Sequence, residues 1–125
     1  MKKIIIFLIP LLLSNWTFFS KNKDADFYIN KKSIKFNEKG LFFLGLIDKK
    51  KRSKFGESVT IYVEVDCTNR MSKTLESVFY SNSMGKGERL ISESDYDWMY
   101  SPPGTLIGNM VKHSCDFFDE KTKKK

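Results

Sequence analysis

Histidine and cysteine are scarce: 125 residues hold one of the first and two of the second. Cys67 and Cys115 lie in no CxxC pair and His113 in no HxxxH pair, so no metal-ligand spacing exists. A Cys–His nucleophile is excluded as well, because His113 and Cys115 are two residues apart. On a helix that separation turns the side chains about 200° away from each other. Gly85 and Gly87 form a GxG with neither a third glycine nor a following helix at the spacing a phosphate loop needs, and read as a turn. Asp95 and Asp97 are close enough in sequence to pair, but Tyr96 and Trp98 beside them read equally as a packed loop. No enzyme and no cofactor is indicated.

Long apolar runs are missing too. The longest, Ile4 to Leu13, is ten residues behind Lys2 and Lys3, and a relaxed spanning helix needs roughly 20. Its proportions are those of a secretory signal peptide. The leader is predicted over 1–14, with Leu12 and Ser14 read by the peptidase; cleavage after Ser20 would put Phe18 where a small residue is wanted. No cysteine near that site offers a lipid anchor of the bacterial type. Export makes the two cysteines candidates for a disulfide rather than free thiols.

Positive charge is present but localised. The formal charge is +7. Asp48 to Glu57 holds five basic and two acidic side chains, and Asp119 to Lys125 holds four and two. With Lys2 and Lys3 set aside, the rest is neutral, so no structured element carries the basic stripe of a nucleic-acid binder. Lys49, Lys50, Lys51, Arg52 and Lys54 are expected to form a loop between strands. That loop is either a solvated connector or an electrostatic contact for an anionic partner such as a heparin-like glycan, a lipid A phosphate or an acidic protein. The tail over 119–125 is expected to be disordered.

What the chain does have is alternation. From Ser58 to Cys67 the odd positions read Val59, Ile61, Val63, Val65, Cys67, and the even ones Ser58, Thr60, Tyr62, Glu64, Asp66. A period of two over ten residues is a strand with one dry and one wet face. Parity puts Cys67 on the dry face, and Cys115 ends a short apolar stripe near the C-terminus, so a Cys67–Cys115 bond is expected to tie a last helix to a central strand.

Around that strand, Asn15 to Ser20 and Asp26 to Asn30 read as a hairpin, and Lys32 to Phe36 as either a helical turn or a strand continuation. A turn at Asn37 to Gly40, with Gly40 free for positive φ, leads to an apolar strand over 41–47. After a turn in which Asn69 tolerates the left-handed region, Met71 to Tyr80 is the antiparallel partner, with Leu75 and Phe79 on one face. Glu88 to Ser92 is a last short strand, and Ser94 to Ser101 is irregular. Pro102-Pro103-Gly104-Thr105 announces a helix with Thr105 as N-cap. Leu106, Ile107, Met110, Val111 and Ser114 share one face of it, and Gly108 weakens it by roughly 1 kcal/mol.

Four spaced pieces carry a family resemblance: Asp66-Cys67-Thr68-Asn69-Arg70, Met84-Gly85-Lys86-Gly87-Glu88, Pro102-Pro103-Gly104-Thr105 and Val111-Lys112-His113-Ser114-Cys115. With Tyr62 to Val65, Tyr80 to Ser83, Trp98, Trp16 and the segment from Phe27 to Ile34, they resemble the bacterial surface-adhesin protein E family over nearly the whole mature chain. The resemblance implies an α+β fold, an antiparallel sheet of about six strands with one C-terminal helix joined to it by the disulfide. It implies an envelope protein that binds host extracellular-matrix and serum proteins.

The expected function is therefore an exported, non-enzymatic binding or adhesion module of the cell envelope. Its expected partners are host matrix or serum proteins or anionic glycans, met by the basic segment; no nucleic acid and no small-molecule substrate is expected. Exposed edge strands would allow a homodimer. The competing readings are a periplasmic structural or stress-related module, and a small-ligand carrier using Tyr62, Trp98 and Tyr100.

Overall fold

A computed structural model describes residues 16–123. The predicted leader and the last two lysines lie outside the described residues. Six strands follow in chain order: β1 (Trp16–Lys21), β2 (Ala25–Phe36), β3 (Gly40–Ser53), β4 (Gly56–Asp66), β5 (Met71–Tyr80) and β6 (Arg89–Ser94). They form one sheet in that same order, each antiparallel to the next. A helix, α1 (Leu106–Lys123), lies across one face.

The alternation of β4 is realised as expected. Val59, Ile61, Val63 and Val65 are buried toward α1, while Thr60, Tyr62, Glu64 and Asp66 are half-buried on the other face. Their partners on β3 are Ile47, Gly45, Phe43 and Leu41, so two central strands supply most of the inner core. β3 reads as nearly all apolar because its other face is covered too. There Leu46 is fully buried, and Phe42 stacks on Tyr62 with ring centroids 6.1 Å apart.

The cover over Leu46 is the segment after β5, which bends into a single 3-10 turn at Ser83–Gly85. The buried Ser58 hydroxyl donates to the Asn82 carbonyl (2.6 Å) and accepts from the Gly85 amide (2.9 Å). The Met84 amide donates to Asp48 Oδ1 at 3.0 Å. Met84, Gly85 and Gly87 all take positive φ, so the two glycines serve a tight turn laid on the sheet.

α1 begins where the proline pair stops the preceding chain. Thr105 Oγ1 accepts the Gly108 amide at 3.1 Å, which makes Thr105 the N-cap, and its hydroxyl donates to the Pro102 carbonyl. Met110, Val111, Ser114 and Cys115 are buried, with Leu106, Ile107 and Phe118 packed beside them. Cys115 is bonded to Cys67, with their Cα atoms 5.4 Å apart. Cys67 sits in the turn just past β4 rather than inside the strand, half-buried.

Several expectations are corrected. Asp119 to Lys123 continues α1, so this part of the tail is helical and not disordered. Of the two readings left open for Lys32 to Phe36, the strand continuation holds: it extends β2, with a register slip between Asn30 and Lys35. There the Ser33 hydroxyl bridges the break, donating to the Asn30 carbonyl and accepting the Leu44 amide. Gly40 does not take positive φ; it is required because a Cβ would collide with the Val65 carbonyl oxygen. In the turn after β4 the left-handed residue is Arg70, not Asn69. A register shift leaves Leu75 opposite no residue of β4, which breaks the parity that linked it to Phe79.

Asn69 instead holds Asp66. Asp66 Oδ1 accepts the Thr68 and Asn69 amides, and Oδ2 accepts the Asn69 side-chain amide at 3.0 Å. The Asn69 side-chain bond is the main cause that lowers the Asp66 carboxyl below its ordinary value; backbone amides and the Lys39 charge add to it against slight burial.

Three outcomes are expected. Cys115→Ser opens a link between residues 48 apart, which loop entropy values at about 4 kcal/mol; the urea midpoint should fall accordingly. Gly108→Ala should also lower the thermal midpoint, although helix propensity alone favours Ala by about 1 kcal/mol, because the new Cβ would strike the Pro102 carbonyl. Asp66→Ala should destabilise the protein at neutral pH. Its native pKa is depressed below 3.8, so the stabilisation is full above that pH and fades as pH falls through the native value. Unfolding midpoints of the two proteins should therefore converge in strongly acid solution.

Candidate functional site

The basic segment is not a loop. Lys49, Lys50, Lys51 and Arg52 belong to β3, and the turn to β4 is only Lys54 and Phe55, between the paired Ser53 and Gly56. Gly56 permits it with φ +96, where a side chain would also meet the Tyr80 carbonyl. Ser53 Oγ accepts the Phe55 amide and donates to the Gly56 carbonyl, closing the turn from inside.

This hairpin outruns its neighbours. β2 pairs with β3 no further than Lys49, and β5 pairs with β4 no further than Ser58. Residues 51–55 are exposed at the end of a two-stranded arm, with Phe55 43% exposed at its tip.

The five cations do not make one patch. Lys49 Nζ lies 5.5 Å over the ring of Phe79 and donates to Ser53 Oγ. Lys50 reaches the opposite way, donating to the Asn22 carbonyl at 2.7 Å and facing Asp26 at 3.9 Å. Arg52 faces Glu57 across the hairpin at 3.8 Å. Lys54 Nζ lies 5.1 Å over Phe55. Lys51 looks into a groove of about 620 Å³ on the inner face of the sheet.

The groove exists because α1 covers only part of that face. Ile47, Val59, Ile61 and Phe79 floor it, Ala25 and Ile107 close its sides, and Lys23, Lys49 and Lys51 stand on its rim with Asp24. Tyr96 OH and Ser77 Oγ satisfy each other at 2.8 Å. Sequence reasoning missed Lys23, Tyr96 and Ile107 as neighbours of the basic segment. One signal was available: Lys49 and Lys51 extend the odd parity of Phe43 and Ile47 onto the dry face.

On the outer face, Asp26 and Asp48 stand directly opposite each other, a pairing that repels. Lys50 and the Met84 amide relieve it. Tyr28 nearby has its pKa raised, by burial first and then by those two carboxylates.

The remaining polar candidates stay apart. His113 is exposed against Phe19, ring centroids 4.7 Å apart, and Cys115 is spent in the disulfide. Asp95 and Asp97 are exposed, and no cluster of metal-ligating residues occurs among the described residues. Trp98 and Tyr100 are exposed while Tyr62 stacks on Phe42, so these aromatics do not converge on a ligand cavity.

The sequence profile described as "Surface-adhesin protein E" matches residues 16–116. Among solved structures, Haemophilus influenzae protein E superposes with a TM-score of 0.69 at 19% identity, covering 86% of this chain and 88% of that one. A second crystal form of the same protein gives 0.68 at 20% identity, covering 85% and 91%. Protein E from non-typeable Haemophilus influenzae gives 0.67 at 19%, covering 86% and 79%. No curated protein matches the sequence. At such identities the structures share the fold, and the profile match over residues 16–116 settles the rest: the chain belongs to the surface-adhesin protein E family.

Proposed function

We propose that the protein is exported to the cell envelope and binds a macromolecular partner, a host matrix or serum protein or an anionic glycan, through the end of the β3–β4 arm. Membership of a family of surface adhesins, rather than of an enzyme class, supports an adhesive role. The carrying observation is the arm itself: Lys54 lies over an exposed Phe55 at the tip of a hairpin longer than the strands beside it, with Lys51 and Arg52 exposed just behind. Cations at the rim with one apolar anchor suit a partner that is acidic but not uniformly polar. Arg52 faces Glu57 across solvent, a pair that yields readily to an external carboxylate or sulfate.

Replacing Lys51, Arg52 and Lys54 together by Ser should weaken retention on immobilised heparin and on matrix proteins by roughly tenfold, since exposed ion pairs contribute up to about 1 kcal/mol each. Unchanged retention would refute the role of the arm. Protease applied to intact cells should remove the protein; protection until the envelope is opened would favour the periplasmic, structural reading.

A further inference from the structure

We propose that the groove under the basic arm holds one free fatty acid, its chain along the aliphatic floor and its carboxylate among the rim lysines. This goes beyond the adhesive reading and does not depend on it.

The floor supplies the first half of the argument. Ile47, Val59, Ile61 and Phe79 belong to the inner face that α1 covers, yet here the helix only begins, at Leu106, and these side chains line a groove of about 620 Å³. That volume lies within the range of small-molecule sites. Little in the groove asks for hydrogen bonds, Thr74 being the one lining hydroxyl besides Ser77 and Tyr96. The Ser77 and Tyr96 hydroxyls satisfy each other, and among the described residues no buried side-chain nitrogen or oxygen lacks a partner. A sugar or peptide would waste its polar groups there, whereas an alkyl chain would not.

The rim supplies the second half. Lys23, Lys49 and Lys51 carry no ion pair among the described residues, while the neighbouring Lys50 is engaged with Asp26. Lys49 holds its ammonium over the Phe79 ring, where the floor meets the rim. Asp24 is the single acidic side chain on the rim, so a carboxylate entering among three lysines is still attracted. The polarity therefore runs from apolar inside to cationic at the mouth, which fixes which end of an amphiphile goes in. A bilayer fits poorly, since the apolar surface is recessed behind the lysines and does not protrude.

Calorimetric titration of the purified protein with laurate below its micellar concentration tests this. One laurate per chain is expected, with dodecyltrimethylammonium, the same chain under a cationic head, at least about tenfold weaker. The double variant Lys23→Gln with Lys49→Gln, at an exposed and a half-buried position, should weaken laurate by about tenfold or more, the scale of one lost hydrogen bond to a charged group. Ile107→Trp, which narrows the groove from its side, should weaken binding while the urea midpoint shows the fold intact; if that variant fails to fold, the lysine variant decides alone. Arg52→Ser with Lys54→Ser should leave laurate binding unchanged while weakening heparin retention, which separates this site from the adhesive one. Absence of laurate binding, equal binding of the cationic amphiphile, or no effect of the lysine variant would overturn the proposal. So would saturation by lysophosphatidylglycerol without a response to laurate, which would assign the groove to a phospholipid.

Discussion

The bond between Cys67 and Cys115 sets where the helix lies, and much else follows from that position. Cys67 comes immediately after β4, at the end of the sheet where Leu41, Phe43, Val63 and Val65 are buried. Fastened there, α1 covers that end with Met110, Val111 and Cys115 and continues past it, so that Phe117 and Phe118 meet Phe36 at the end of β2. Eighteen residues at 1.5 Å each reach about 27 Å, but the portion before Cys115 is barely half of them. The far end of the same face, around Ile47, Val59 and Phe79, is thus met only by the first turn of the helix, at Ile107, with Tyr96 and lysine stems beside it. An apolar floor under a cationic rim is what remains when a short helix is anchored at one end of a long hairpin.

The sequence was most legible where one force acted alone. Burial of one face dictates the alternation of β4, and that alternation, extended one residue past the strand, found the inward cysteine. The proline pair and Thr105 marked the helix start because capping is a local matter. Legibility failed where tertiary pairing overrode local character. Nothing in Lys49 to Ser53 favours a strand, yet a two-residue turn at Lys54 and Phe55 pairs Ser53 with Gly56, and Lys49 to Arg52 are carried along across a register shift. Lys32 to Phe36 resisted assignment because its ladder is interrupted and a serine hydroxyl completes it, a contact between residues 11 apart. Gly40 was misread for a similar reason: the constraint is the Val65 backbone on another strand, not its own φ. The groove was invisible because its rim is assembled from the β1–β2 turn, the end of β3 and the segment after β6.

The pieces of sequence that resemble the family all prove to hold the fold. Asp66 and Asn69 organise the turn that presents Cys67. Met84 to Gly87 covers Leu46 and satisfies Asp48 and Ser58. Pro102 to Thr105 starts the helix, and Val111 with Cys115 docks it. These contacts tie much of the family pattern to the scaffold, although Arg70, Lys86, Trp98 and His113 of the same pieces are exposed. A shared scaffold is expected when function lies in sites placed on a common fold.

The arm shows how little sequence is needed to make two different surfaces. Five cations within six residues would repel one another if they pointed one way, and at physiological salt screening extends over only about 8 Å. A strand resolves this by sending neighbouring side chains to opposite faces. Lys49 and Lys51 turn to the inner groove, whereas Lys50 is held by Asp26 and the Asn22 carbonyl on the other side and Arg52 by Glu57. Phe79 and Phe55 each take a lysine over the ring, stabilising charge without a carboxylate. A flexible loop of the same composition would leave all five in water, equivalent and interchangeable. By making the run a strand, the fold gives each cation its own neighbour, and the difference between Lys49 and Lys54 becomes one of position rather than of chemistry.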